Sequence, residues 1–243
     1  MKQIWSIPPQ DLKLEENEVH IWCTHLDLPA EKIQQLETIL SEEEINRANR
    51  FYFEKHRHRF IVARSSLRII LGQYLKIKSD RLQFDYSPKG KPSLVGGGGI
   101  KFNLSHSENM SLYGITRNSL IGVDIEYLRP VEDVAKLAQR FFCPREYEVI
   151  SSLASGEIEK AFFRAWTAKE AFLKATGEGI GGGLDQVEID LTTQESVKFL
   201  KIGNHTEAVN EWSLFPLMPA EGYIGAVVVK GKELVKNFYK LEN

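Results

Sequence analysis

Residues 162–177 constrain this chain more than any other stretch. Phe162-Phe163-Arg164-Ala165-Trp166-Thr167-Ala168-Lys169-Glu170-Ala171-Phe172-Leu173-Lys174-Ala175-Thr176 follows Ala161 and an acidic run with Glu157 and Glu159, and it stops at Gly177. Acids near the start and a glycine at the end are helix-boundary signals. At about 100° per residue, Phe162, Ala165, Trp166, Ala168, Phe172 and Leu173 share a broad apolar arc, and Thr167, Glu170 and Lys174 form a narrow polar stripe opposite. Lys169 falls inside the apolar arc. An ammonium there must snorkel out or meet an anion, because burying it unpaired costs several kcal/mol or shifts its pKa. The stripe has two readings. Glu170 and Lys174 are either an i,i+4 surface pair contributing about 0.2–0.5 kcal/mol, or part of a site that uses their charges.

Residues 121–127, Ile-Gly-Val-Asp-Ile-Glu-Tyr, alternate apolar and acidic residues. As a strand they point Asp124 and Glu126 to the same side. Two adjacent carboxylates repel unless a positive group sits with them. Mg²⁺ takes one or two carboxylates together with substrate phosphates, and this spacing suits that use. A wet acidic face on an antiparallel strand is the other reading.

With 243 residues, 42% of them hydrophobic, the chain can bury a real core in one large or two small domains. A formal net charge of -2 gives no electrostatic case for nucleic-acid binding. Cys23 and Cys143 lie far apart without CxxC spacing, which favours free thiols over a zinc site. The first ten residues lack a signal-peptide core, and no 18-residue apolar run occurs, so a soluble, cytoplasmic protein with no membrane contact is expected.

Along the chain, 19–23 reads as a strand and 30–40 as a helix. Ser41 followed by Glu44 is a capping-box pattern that opens another helix. The segment 55–75 reads as a helix whose polar side is cationic, within a basic region holding Arg47, Arg50, Lys55, His56, Arg57, His58, Arg59, Arg64 and Arg68. Such a run is either a solvated face or a phosphate site, phosphate being the usual client of clustered arginine. Residues 85–99 read as a loop, with Gly96 to Gly99 a flexible turn and Lys91 held on the Gly90-Lys91-Pro92 turn. After a strand pattern from Ile100, Ser105 and Ser107 flank His106. The histidine is structural or part of an anion site, since hydroxyls and imidazolium donate to phosphate oxygens. A serine nucleophile lacks a G-x-S-x-G context there. Strands at 110–116 and 122–127, helices at 131–140 and 145–153, a glycine-rich loop at 177–183, and strands at 187–189, 197–202, 212–215 and 223–229 complete the reading.

The second half repeats the first in element order. Leu26 with Leu128, Glu44 with Glu146, Phe60 with Phe162, Ala63 with Ala165 and Leu71 with Leu173 are identical pairs, too few to carry the argument, which rests on the order of elements. The expected fold is α+β, with two similar α/β half-domains, 1–118 and 119–243, in pseudo-twofold arrangement. Each is expected to have a small, mainly antiparallel sheet packed on helices.

Phe102-Asn103-Leu104-Ser105-His106-Ser107, Gly122-Val123-Asp124-Ile125-Glu126 and the stretch from Trp166 to Lys174 together resemble, in order and spacing, the motifs of the 4′-phosphopantetheinyl transferases of the surfactin-synthetase-activating type. The resemblance runs from the basic helix to the central one, and the three motifs together are specific. It implies an enzyme that moves the phosphopantetheine arm of coenzyme A onto a serine of an acyl or peptidyl carrier protein, of fatty-acid, polyketide or nonribosomal-peptide synthesis, releasing adenosine 3′,5′-bisphosphate; a monomer is expected, though the sequence alone does not decide the oligomeric state. It also implies that Asp124, Glu126 and Glu170 hold a Mg²⁺ bridging the pyrophosphate. Lys91, Ser105 and His106 match positions that touch phosphates, and Lys174 matches a lysine near the bridging pyrophosphate. Arg47, His58 and Arg59 are matched to the 3′-phosphate, and Glu44 stands where some relatives carry a lysine.

Elementary chemistry supports the same mechanism. A pyrophosphate needs its charge neutralised before a serine oxygen attacks. Glu170 could take the serine proton, and Lys174 could stabilise the leaving phosphate. A noncatalytic coenzyme A or nucleotide-binding module would not need three carboxylates. A metal-dependent phosphohydrolase would release its product to water without a carrier protein.

Overall fold

The computed structural model describes residues 3–179, 183–192, 197–203 and 207–242. In chain order the first elements are β1 (Glu18–His25), α1 (Ala30–Glu37), α2 (Glu42–Ala48), α3 (Glu54–Leu75), β2 (Phe84–Tyr86), β3 (Pro92–Leu94), β4 (Ile100–Ser107) and β5 (Met110–Arg117). There follow β6 (Ile121–Tyr127), α4 (Val134–Phe141), α5 (Pro144–Ser152), α6 (Ser155–Thr176), β7 (Val187–Asp190), β8 (Lys198–Ile202), β9 (Trp212–Leu217), β10 (Tyr223–Lys230) and β11 (Val235–Lys240). The architecture is α+β, with small antiparallel sheets on helices. No described helix is long and apolar enough to cross a membrane.

The chain divides into two compact units, Ile4–Asn118 with Lys236–Asn243, and Met1–Gln3 with Ser119–Val235. Both use one sequence of elements: a strand, two short helices, a helix of 22 residues, a short hairpin and two more strands. Their sheets repeat the same strand order, β1-β5-β4 in one and β6-β10-β9 in the other. β11 extends the first sheet beside β1, so the last strand packs with the unit that the expected boundary at 119 had separated it from.

In the first unit, Trp22, Leu67, Ile70, Leu71, Phe102, Tyr113 and Ile115 form one core between α3 and the sheet. Leu26, Ile33, Leu36, Phe60, Ile61 and Ala63 form a second, where α1 packs on the N-terminal half of α3. Ser41 caps α2 in the expected capping box, accepting from Glu44 N while Glu44 accepts from Ser41 N. The stretch 85–99 is not all loop: Phe84–Tyr86 and Pro92–Leu94 pair as a hairpin, with Tyr86 opposite Pro92.

The second unit is organised on α6, which starts at Ser155, well before the expected Ala161. Its small residues Ala165, Ala168, Ala171 and Ala175 are buried and let the helix approach the sheet closely. The contact is tightest at Gly122 of β6, where a Cβ would lie 1.9 Å from Ala171 O and 2.4 Å from Ala175 N. Only glycine fits there. Of the expected glycine-rich loop, residues 180–182 lie outside the described residues.

Lys169, which the helical pattern placed in the apolar arc, is fully buried and meets an anion. Its Nζ lies 2.7 Å from Glu146 Oε2 and donates to Leu184 O at 2.8 Å and to Val187 O. Glu146 also accepts from Cys143 N at 2.8 Å and Ile189 N at 2.7 Å. The first unit contains the counterpart: Glu44 accepts from Arg64 Nε at 2.9 Å and Arg68 Nε at 2.6 Å. In each unit a buried glutamate on a short helix clamps the long one.

Candidate active site

Gly122, Asp124 and Glu126 fall on one face of β6 by the two-residue period of a strand, and Gly122 fixes that face against α6. The polar stripe of α6 is therefore not solvated. Thr167 is buried, Glu170 is 5% exposed and Asp124 is 4% exposed. Lys174 Nζ donates to Asp124 Oδ1 at 2.6 Å, so the partner of Lys174 comes from the facing strand. A surface Glu170–Lys174 pair is excluded by this burial.

Glu170 carries the surplus charge of the cluster. Burial first, and then the negative charge of Asp124, push its carboxyl up to about 7, against the pull of Lys174; Glu126 adds a smaller push. Glu170 Oε1 is buried and has no hydrogen-bond partner among the described residues. A buried acceptor left unsatisfied costs about 1–3 kcal/mol, which is unusual outside a functional site. Glu126 is half-buried, with Arg129 Nη1 at 3.5 Å from its Oε2. Among the described residues no group of three histidines, cysteines or carboxylates is arranged as a ready metal site. The carboxylates are instead disposed around protein cations, Lys174 at Asp124 and Arg129 at Glu126.

The remaining expected site residues lie in the first unit. Lys91, half-buried after the Gly90 turn, has its ammonium pushed down to about 8 by burial and by the nearby Lys101. Ser105 and His106 are neighbours on β4 and so point to opposite faces, Ser105 buried and His106 exposed. Arg47 is exposed, its guanidinium 5.5 Å from the centroid of the Phe60 ring. His58 Nε2 lies 3.5 Å from Glu54 Oε1, one turn earlier on α3.

Four arginines of the basic run are neutralised by acids from elsewhere in the sequence. Arg57 pairs with Glu37, Arg59 with Asp27 and Glu108, and Arg64 and Arg68 with Glu44. The expected cationic side of α3 is thus largely an internal ion-pair network. Glu44 completes it, which gives that acid a structural role. The partners Glu37, Asp27 and Glu108 were not singled out from sequence, nor was Arg129. The capping position of Glu146, three residues after Cys143, was the signal that could have found the anion for Lys169.

Comparison with known proteins follows the same division of the chain. A model described as the 4′-phosphopantetheinyl transferase superfamily matches residues 120–228, and one described as 4′-phosphopantetheinyl transferase, N-terminal, matches residues 29–114. A 4′-phosphopantetheinyl transferase of Nostoc is 44% identical over 234 residues, 95% of each chain. One from Bacillus pumilus is 32% identical over 76% of this chain and 78% of its own. The Sfp transferase of Bacillus subtilis is 26% identical over 74% of this chain and 85% of its own. The chain belongs to the 4′-phosphopantetheinyl transferase superfamily.

Proposed function

We propose that this transferase moves the 4′-phosphopantetheine arm of coenzyme A to a serine of a carrier protein at the cluster of Asp124, Glu126, Glu170 and Lys174. The observation that carries the reading is Glu170: a buried carboxyl, raised to about 7 beside Asp124, with one oxygen unsatisfied. A general base works best with a pKa near the operating pH. The serine hydroxyl gives its proton to Glu170, and its oxygen attacks the phosphorus that bears the pantetheine arm. The bond from that phosphorus to the bridging pyrophosphate oxygen breaks, and adenosine 3′,5′-bisphosphate leaves. Lys174, held by Asp124, places an ammonium where charge develops on the leaving phosphate.

The donor types suit a hard divalent cation such as Mg²⁺, although the three carboxylates are not gathered into a ready-made metal site among the described residues. The donors are carboxylate oxygens, and the unsatisfied Glu170 oxygen lies where negative charge exceeds positive. Asp124, Glu126 and Glu170 would hold the ion, which when bound supplies neutralising charge for the pyrophosphate. A carboxylate has two oxygens, so ligation and proton acceptance by Glu170 are compatible. Lys91, Ser105 and His106 are assigned to the coenzyme A phosphates, with Arg47 and His58 toward the 3′-phosphate. Arg59 is set apart, because carboxylates already occupy its Nε, Nη1 and Nη2.

Asp124→Ala tests the assignment. It should retain the far-ultraviolet circular dichroism of the parent and lose Mg²⁺-dependent transfer to a carrier protein. Full transfer by the variant at ordinary Mg²⁺ would remove Asp124 from the site.

A further inference from the structure

The turn between β4 and β5 is built against its own backbone preference. Ser107 pairs with Met110, so the loop is the two residues Glu108-Asn109, and Glu108 has φ 48°. Glycine or asparagine adopts that left-handed conformation readily, and other residues adopt it at a cost. The side chain of Glu108 gives the reason for its presence. Its Oε2 accepts from Arg59 Nη1 at 3.0 Å, and Arg59 Nε and Nη2 donate to Asp27 Oδ1 and Oδ2 at 2.7 and 2.9 Å. The Arg59 side chain is 8% exposed, whereas Asp27 and Glu108 are 49% and 50% exposed. Leu26 N donates to Asn109 O at 2.8 Å, binding the end of β1 to the same turn. A buried guanidinium on α3 therefore ties together the end of β1 and the β4–β5 turn, two residues beyond His106.

We propose that Glu108 is a positioning residue for coenzyme A: through Arg59 and Asp27 it fixes the end of β4, and with it the exposed His106, in the geometry that receives the phosphates. The inference rests on the transferase reading for the role of His106. It assigns Arg59 to bracing the turn, with no contact to the 3′-phosphate. Backbone strain is commonly held by surrounding structure where position matters, and here the holding group is Arg59, which is itself oriented by its bidentate pair with Asp27 and gives Glu108 one bond from Nη1.

Glu108→Gly separates positioning from stability, because glycine suits φ 48° while removing the carboxylate. Isothermal titration with coenzyme A, steady-state kinetics with a carrier protein, and thermal melts would be run on the parent, Glu108→Gly and Glu108→Gln. The glycine variant should melt close to the parent, relief of the left-handed φ offsetting the lost ion pair, and its Kd and KM for coenzyme A should rise roughly tenfold, the scale of losing the preorganisation of one side chain. Its kcat should stay within about twofold of the parent. Glu108→Gln keeps an acceptor oxygen for Arg59 and should restore most of the affinity. Parent-like coenzyme A binding by Glu108→Gly would overturn the proposal, as would a fall in kcat at unchanged KM or an equal loss of affinity in both variants. A parent chain that does not bind coenzyme A would instead overturn the transferase reading, and this inference with it.

Discussion

Glu170→Gln should stabilise the metal-free protein while it disables the enzyme. The Glu170 carboxyl is held at about 7 in the fold against an ordinary value of 4.5, chiefly by burial and by Asp124. The folded chain therefore binds that proton more tightly than the unfolded chain. Between pH 4.5 and 7 the folded state carries more protons, and stability falls as pH rises. At about 1.4 kcal/mol per unit, the interval costs on the order of 3 kcal/mol by pH 8. Glutamine has no proton to give up, and its amide can donate toward Asp124. In buffer with a chelator the variant should match the parent near pH 4.5 and melt roughly 6–12 °C higher at pH 8, the shift expected for that energy in a chain of this size. Turnover should fall by about 10²–10⁴-fold, the usual range for a general base. Melts at a series of pH values, with carrier-protein modification rates on the same preparations, provide the assay. A gap in melting temperature that does not grow with pH, or a variant less stable than the parent at pH 8, would refute the argument from burial and charge.

Gly122→Ala should destabilise the protein by about 3 kcal/mol or more, because backbone atoms of α6 stand where the methyl must go; urea melts would show it, and transfer should fall as β6 and α6 separate. Lys169→Met leaves Glu146 buried without its cation and should cost about 3–5 kcal/mol, with Glu146→Gln added to it recovering part of the loss. Chelation should abolish carrier-protein modification and added Mg²⁺ should restore it, and Mg²⁺ should raise the melting temperature of the parent more than that of Glu170→Gln.

The long helices, the strand that carries Asp124 and the repeated order of elements were legible because periodic apolar spacing reports burial directly. What pattern could not report was the partner of a polar face. A stripe of Thr167, Glu170 and Lys174 looks the same whether it meets water or the acidic face of β6, and only the approach at Gly122 decides between them. The basic run was legible only in part for the same reason. Arg59, Arg64 and Arg68 read as a cationic surface because Asp27, Glu44 and Glu108 reach them only through the fold. β2 and β3 were hidden by a composition rich in serine, proline and glycine. β11 was hidden because its pairing partner β1 lies at the other end of the sequence. Lys169 is the instructive exception, since a cation in an apolar arc demanded an anion before any anion was known.

The mass of an apo carrier protein, recorded after incubation with the enzyme, coenzyme A and Mg²⁺, tests the central claim most directly. The account requires an increase of one 4′-phosphopantetheine on the carrier serine, adenosine 3′,5′-bisphosphate formed in equal amount, and coenzyme A left intact when the carrier is omitted. Coenzyme A cleaved with the carrier mass unchanged would contradict it and make the cluster of Asp124, Glu126, Glu170 and Lys174 a hydrolytic site.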